Sequence, residues 1–152
     1  MTPWKMGLLV IAGMLGVAVI VALVGTGSGN APVTNAPAES LITWVDFKTG
    51  SAMAREENRP MMMDFATDWC GWCKKLDAEV YSTAEVAELA KSFVCVRIDG
   101  DKETELTAKF KVEGYPTIVF TNSKGEEKAR IPGFAPAGDF AREMKGALAK
   151  VR

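Results

Sequence analysis

Cys70 and Cys73 stand two residues apart within Trp69-Cys70-Gly71-Trp72-Cys73-Lys74. Two thiols at this spacing can close into a small redox-active disulfide. A helix opening at the first cysteine would aim its free N–H groups and its dipole at the Cys70 sulfur. That stabilises the thiolate, the species that attacks a disulfide. Cys73, one turn further on, could then resolve the mixed disulfide.

The same spacing also occurs in zinc sites, c-type haem attachment and structural bridges. The chain has no histidine and only three cysteines. Zinc would have to draw its tetrahedral set from Cys70, Cys73, Cys95 and a carboxylate, an unusual combination. Haem attachment wants histidine directly after the second cysteine, where Lys74 stands. The redox reading is preferred, with no metal and no cofactor expected. No phosphate loop or nucleotide motif is present, so electrons cannot come from NADPH directly and an outside thiol donor is required. A net charge of −1 over 152 residues argues against a nucleic-acid partner.

Residues 6–25 carry no charge. Their length matches the roughly 20 apolar residues that cross a bilayer. It exceeds the apolar core of a signal peptide, about 7–15 residues. The best small-x-small cleavage candidate, Ala36-Pro37-Ala38, lies well past the run. An uncleaved anchor is therefore preferred to a cleaved signal peptide; either places the remainder outside the cytoplasm. Lys5 precedes the run and no Lys or Arg follows until Lys48. The positive-inside rule then puts residues 1–5 in the cytoplasm. The expectation is a single pass through the inner membrane, with the domain facing the periplasm or extracellular side. Residues 26–40 are small, polar and rich in Pro and Gly, a flexible tether. The folded domain is expected over 41–152.

Within it, Trp44, Phe47, Ala52, Met53 and Ala54 suggest a first helix ending near Asn58-Arg59-Pro60. Met61–Phe65 is a short apolar run that reads as a buried strand leading into the CxxC. Leu76 and Val80 mark a helix from Cys73. Ser82-Thr83-Ala84-Glu85 reads as a capping box opening a helix to about Ser92. Phe93–Asp99 is a β-branched strand. Lys102–Phe110 is amphipathic, with Leu106, Phe110 and Ala108 inward. Thr117–Thr121 and Glu127–Ile131 form a hairpin about Asn122-Ser123-Lys124-Gly125. Pro136–Val151 is a last helix with Phe140, Met144, Leu148 and Val151 on one stripe. The order αβαβαββα predicts an α/β domain, a mixed sheet flanked by helices.

Asp64-Phe65, Trp69-Cys70-Gly71-Trp72-Cys73-Lys74, the strand ending at Asp99, Gly114-Tyr115-Pro116-Thr117, and Gly133 together resemble the thioredoxin superfamily over about residues 41–150. Cys73-Lys74-Lys75-Leu76-Asp77 followed by Val80-Tyr81-Ser82 is most similar to the C-terminal periplasmic domain of DsbD and to small membrane-tethered bacterial thioredoxins. The resemblance implies a thioredoxin fold, protein disulfides as substrates and an upstream, membrane-embedded thiol donor.

It also implies residue roles. Cys70 would be the nucleophile with the exposed sulfur, and Cys73 the resolving thiol. Asp64 would be a carboxylate buried under the site, its pKa raised by desolvation, able to take the Cys73 proton. Pro116 would be a cis proline that brings the Tyr115 backbone to the substrate. Trp69 and Trp72 would form an apolar docking surface, or Trp69 would pack on the domain and leave Trp72 alone exposed. Asp77 would raise the thiol pKa by like charge, or be a solvated helix residue. Lys74 and Lys75 read as a solvated face. Cys95 reads as a buried core thiol, standing where many thioredoxins carry a lysine near the buried aspartate.

Gly-Trp between the cysteines supplies no cation to a thiolate, and a less stabilised thiolate makes the dithiol a better reductant. Reduction of protein disulfides is the first expectation. A disulfide oxidase or isomerase is the second, and a binding or chaperone module without turnover the third.

Overall fold

The computed structural model describes residues 40–151. The apolar run 6–25, and all of the 26–40 tether but its last residue, lie outside them. Along the chain the elements are α1 (Phe47–Glu56), β1 (Met61–Ala66), α2 (Gly71–Glu79), α3 (Ala84–Ala90), β2 (Val94–Asp99), α4 (Thr104–Lys109), β3 (Thr117–Thr121), β4 (Glu127–Pro132) and α5 (Ala137–Val151). The strands form one mixed sheet in the order β2-β1-β3-β4. β1 runs parallel to β2 and antiparallel to β3, and β3 pairs antiparallel with β4.

Period-two alternation divides the core between the two faces of the sheet. Met62 and Cys95 join Leu76, Tyr81, Phe140 and Met144 beneath α2, α3 and α5. Met61, Met63, Phe65, Val94, Val96 and Ile98 meet Ala54 and Phe110 on the other face. β1 is covered on both sides, so its apolar run is continuous. Asp64 interrupts it on the face beneath α2.

Four local expectations are corrected. Trp44 stands ahead of α1, which is capped by Asp46 accepting from the Thr49 N–H at 3.0 Å. That helix stops at Glu56, before Asn58, whose left-handed backbone (φ 51°) asparagine tolerates. Both helices expected between Cys73 and Ser92 form, so the order is αβααβαββα, one helix more than αβαβαββα: the chain breaks after α2, where Tyr81 is fully buried in the core. The capping box does not form. Ser82 Oγ donates back to Ala78 O at 2.6 Å, Thr83 takes the N-cap, and Glu85 pairs instead with Lys145 of α5 at 2.8 Å. Ala108 faces solvent, because α4 is too short to bury more than the flank carrying Leu106.

Candidate active site

The topology gathers four loops at one end of the sheet. β1 and β2 are parallel, so both finish there, at the pair Ala66↔Asp99. Antiparallel β3 begins there, with Phe65 opposite Thr117, and β4 finishes there, with Thr117 opposite Pro132. Pro116 therefore lies at the edge from which the CxxC segment leaves. Its peptide bond to Tyr115 is cis, as the resemblance implied.

Cys70 and Cys73 are joined as a disulfide, with Cα atoms 5.3 Å apart. Cys70 is the N-cap of α2, and its Sγ accepts the Cys73 backbone N–H at 3.1 Å. That donor, together with the helix dipole, selects Cys70 as the stabilised thiolate. Exposure does not distinguish the pair. Both residues are 4% exposed, which corrects the expectation of an exposed first sulfur: in the closed disulfide the flanking indoles, not the sulfurs, take the surface.

Asp64 is 1% exposed. Its parallel-sheet partner is Arg97, and paired residues project to the same face, so a guanidinium meets the carboxylate. Arg97 Nη2 lies 2.6 Å from Asp64 Oδ2 and 2.8 Å from Asp77 Oδ1. Asp77 is thus one arm of an ion triad reaching from β1 through β2 to α2, rather than a plainly solvated helix residue. The Arg97 guanidinium also lies 4.5 Å from the Trp44 ring centroid and 5.7 Å from that of Tyr81. Burial pushes the Asp64 carboxyl above its ordinary value, against the opposing charge and hydrogen bonds of Arg97. Burial also works against the Arg97 charge, but the two carboxylates outweigh it and hold the guanidinium firmly protonated. Among the described residues, Asp64 Oδ1 and the Tyr81 hydroxyl are buried near one another, outside hydrogen-bond geometry and with no other partner. Burial, then the nearby Asp64 charge, pushes the Tyr81 phenol far up.

A cavity of about 250 Å³ beside Cys73 is lined by Thr67, Asp77 and Arg97 among others. Several water molecules fit in such a volume. The Thr67 hydroxyl is itself buried and has no hydrogen-bond partner among the described residues.

Both indoles are exposed, Trp69 at 69% and Trp72 at 56%, so Trp69 does not simply pack on the domain. Trp69 stands edge-on to Tyr115 at 5.9 Å, and its Nε1 donates to Asp101 at 2.8 Å. Trp72 lies 5.4 Å from Phe134, with the Lys75 ammonium over both rings. Lys75 is therefore held on an aromatic shelf rather than freely solvated. Cys95 is in the core, donating to Ala90 O at 3.5 Å, its thiol pushed up by burial to about 12.

Sequence reasoning missed Arg97, Phe134, Asp101 and Gly100. Arg97 had a signal: it is the lone cation in an apolar strand, on the same alternation as Cys95. The cation expected in place of Cys95 comes from two residues further along that strand. Phe134 and Asp101 follow strand ends and acquire meaning only once the sheet order brings those ends to the CxxC.

A thioredoxin-like domain model matches residues 47–148. The thiol:disulfide interchange protein DsbD of Klebsiella pneumoniae is 31% identical over 100 residues, covering 62% of this chain and 17% of that protein. The disulfide bond reductase DsbH of Chlamydia pneumoniae is 27% identical over 134 residues, covering 78% of this chain and 80% of that protein. The reduced DsbD C-terminal domain of Neisseria meningitidis shares the fold at a TM-score of 0.59 and 24% identity, over 66% of this chain and 92% of that one. The chain spans only 17–21% of the length of the DsbD relatives. With a CxxC disulfide capping α2, a cis proline beside it and a buried aspartate below, the chain belongs to the thioredoxin-like domain family.

Proposed function

We propose that this protein is an extracytoplasmic reductase of protein disulfides. The observation that carries the chemistry is the capping geometry: the Cys73 N–H and the start of α2 both point at Cys70 Sγ. In the dithiol form the Cys70 thiolate attacks one sulfur of a substrate disulfide. A mixed disulfide forms and the first substrate thiolate leaves. The Cys73 thiol then gives its proton to Asp64 and attacks Cys70 Sγ. The second substrate sulfur is released as a thiolate and the Cys70–Cys73 disulfide is regenerated. Two electrons pass from the dithiol to the substrate, and an upstream thiol donor restores them.

The direction rests on what surrounds the sulfurs. Among the described residues, no Lys or Arg side chain hydrogen-bonds to Cys70 Sγ. The triad below holds two carboxylates against one guanidinium, leaving net negative charge on the Cys73 side. Both favour the thiol over the thiolate and so the reducing form's readiness to give up electrons. The reductase designation of the Chlamydia pneumoniae relative supports the same direction. Equilibration of the full chain with glutathione and thioredoxin buffers tests it. A potential near or below about −230 mV supports reduction, whereas one near about −120 mV would make the protein an oxidant.

The uncharged run 6–25 behind Lys5 supports membrane anchorage with the domain outside and a membrane-embedded thiol donor. Protease digestion of spheroplasts tests the placement: the domain is cleaved if it faces outward and protected if it faces the cytoplasm.

A further inference from the structure

The two aromatic shelves beside the disulfide differ in the charge nearest to each. Lys75 Nζ lies 5.1 Å from the Trp72 ring centroid and 5.0 Å from that of Phe134. Its carboxylate neighbour, Glu79, stands off at 3.9 Å. On the other shelf the Trp69 indole is bonded directly to the Asp101 carboxylate. Around it Asp68, Asp99 and Asp101 outnumber the ammonium groups of Lys102 and Lys74. Near the cis proline, Lys111 and Glu113 offset one another, and Arg130 is bound to Glu127. The shelves sit at opposite sides of the sheet end. Trp69 is tied to the loop after β2, Trp72 to the loop after β4, and the CxxC leaves from β1 between them.

Building on the reductase reading, we propose that this face selects its substrate segment by charge order. It takes a polypeptide disulfide with a carboxylate reaching the Trp72–Lys75 shelf and a cationic side chain reaching the Trp69–Asp101 shelf. From β2 to β4 is three strand spacings, roughly 14 Å, which an extended chain crosses in about four residues. With β1 one spacing from β2 and two from β4, the reading positions fall about one to three residues from the attacked cysteine, and a charged side chain two residues to either side reaches both. The indole and phenyl rings bury the apolar parts of the segment, and the charges fix which way it lies.

The test uses the reduced full chain and two peptides of identical composition. Each bears one cysteine in disulfide with a small neutral thiol. One carries Glu two residues before the cysteine and Lys two residues after it; the other has them exchanged. One order is expected to be reduced roughly two- to thirtyfold faster than the other at low salt, from two exposed pairs worth about 0.2–1 kcal/mol each. The ratio falls towards one in about 1 M salt. It inverts in the doubly substituted Lys75→Glu, Asp101→Lys chain, and shrinks in Asp101→Asn, which keeps an oxygen for the Trp69 N–H. Because the readout is a ratio, the fraction of folded protein cancels. Equal rates for the two orders, or a preference that survives the charge exchange, overturn the inference alone. Failure to reduce either peptide overturns the reductase reading and the inference with it.

Discussion

Arg97 and Asp64 face each other across the parallel β1–β2 pair, guanidinium to carboxylate at 2.6 Å, with the carboxylate 1% exposed. Breaking a buried pair from one side leaves an uncompensated charge, which costs about 3–5 kcal/mol. Arg97→Met should be destabilised by that order near neutral pH. The sign with pH follows from Asp64. Its folded pKa lies above the unfolded value near 3.8, so the fold holds that proton more tightly than the unfolded chain. This contribution to stability is complete below the unfolded value and is lost as pH rises through the folded one. Without Arg97 the folded value climbs further and the loss extends to higher pH. The thermal-melting deficit of Arg97→Met should therefore widen from about pH 4 to about pH 8 and be partly recovered by Arg97→Lys. A deficit flat across that range would show that the ion pair is not what the substitution removes.

Asp64 itself carries a kinetic prediction. A buried base that takes the Cys73 proton speeds the resolving step, and general-base groups contribute typically 10²–10⁴-fold. Asp64→Asn keeps the shape and removes the base. Single-turnover release of substrate from the mixed disulfide should slow by at least about tenfold near pH 7. The loss should narrow at alkaline pH, where hydroxide can take the thiol proton. Formation of the mixed disulfide, the Cys70 step, should change far less.

How far the sequence revealed this site depends on the residue. The CxxC, the buried aspartate and Pro116 sit within short motifs, and each occupies the place the family resemblance implied. Arg97 is 33 positions from Asp64, and only the parallel register of β1 on β2 joins them. Phe134 needed the β3–β4 hairpin to return its end to the CxxC edge. Ser82 and Glu85 had the spacing of a capping box, but burying Tyr81 turned the chain and left Ser82 to cap Ala78 instead. Local chemistry was legible; contacts set by strand order were not.

The division of labour between the cysteines has its own test. With Cys70 as thiolate and Cys73 as resolving thiol, Cys73→Ser should accumulate stable mixed disulfides with a disulfide-bearing substrate. Cys70→Ser should form none and lose reductase activity entirely. Non-reducing electrophoresis after acid quenching separates the two. Full activity in Cys70→Ser would reverse the assignment made from the Cys73 N–H donor.

Gly100 offers a test of the Trp69 shelf without touching either sulfur. A Cβ there would lie 2.1 Å from the Tyr115 hydroxyl oxygen and 2.3 Å from its Cζ, so the phenol must move. Tyr115 in turn supports Trp69 edge-on and precedes the cis proline. Gly100→Ala should therefore cost about 1–3 kcal/mol, the usual range for overpacking, and raise KM for a protein disulfide several-fold. The reduction potential should stay the same, since the CxxC and the triad are untouched. The cause can be isolated by a double-mutant cycle. Once Tyr115→Ala has emptied the space, adding Gly100→Ala should bring little further loss in stability or KM. If the two losses simply add, the clash with Tyr115 is not the mechanism, and the glycine is needed for its own backbone.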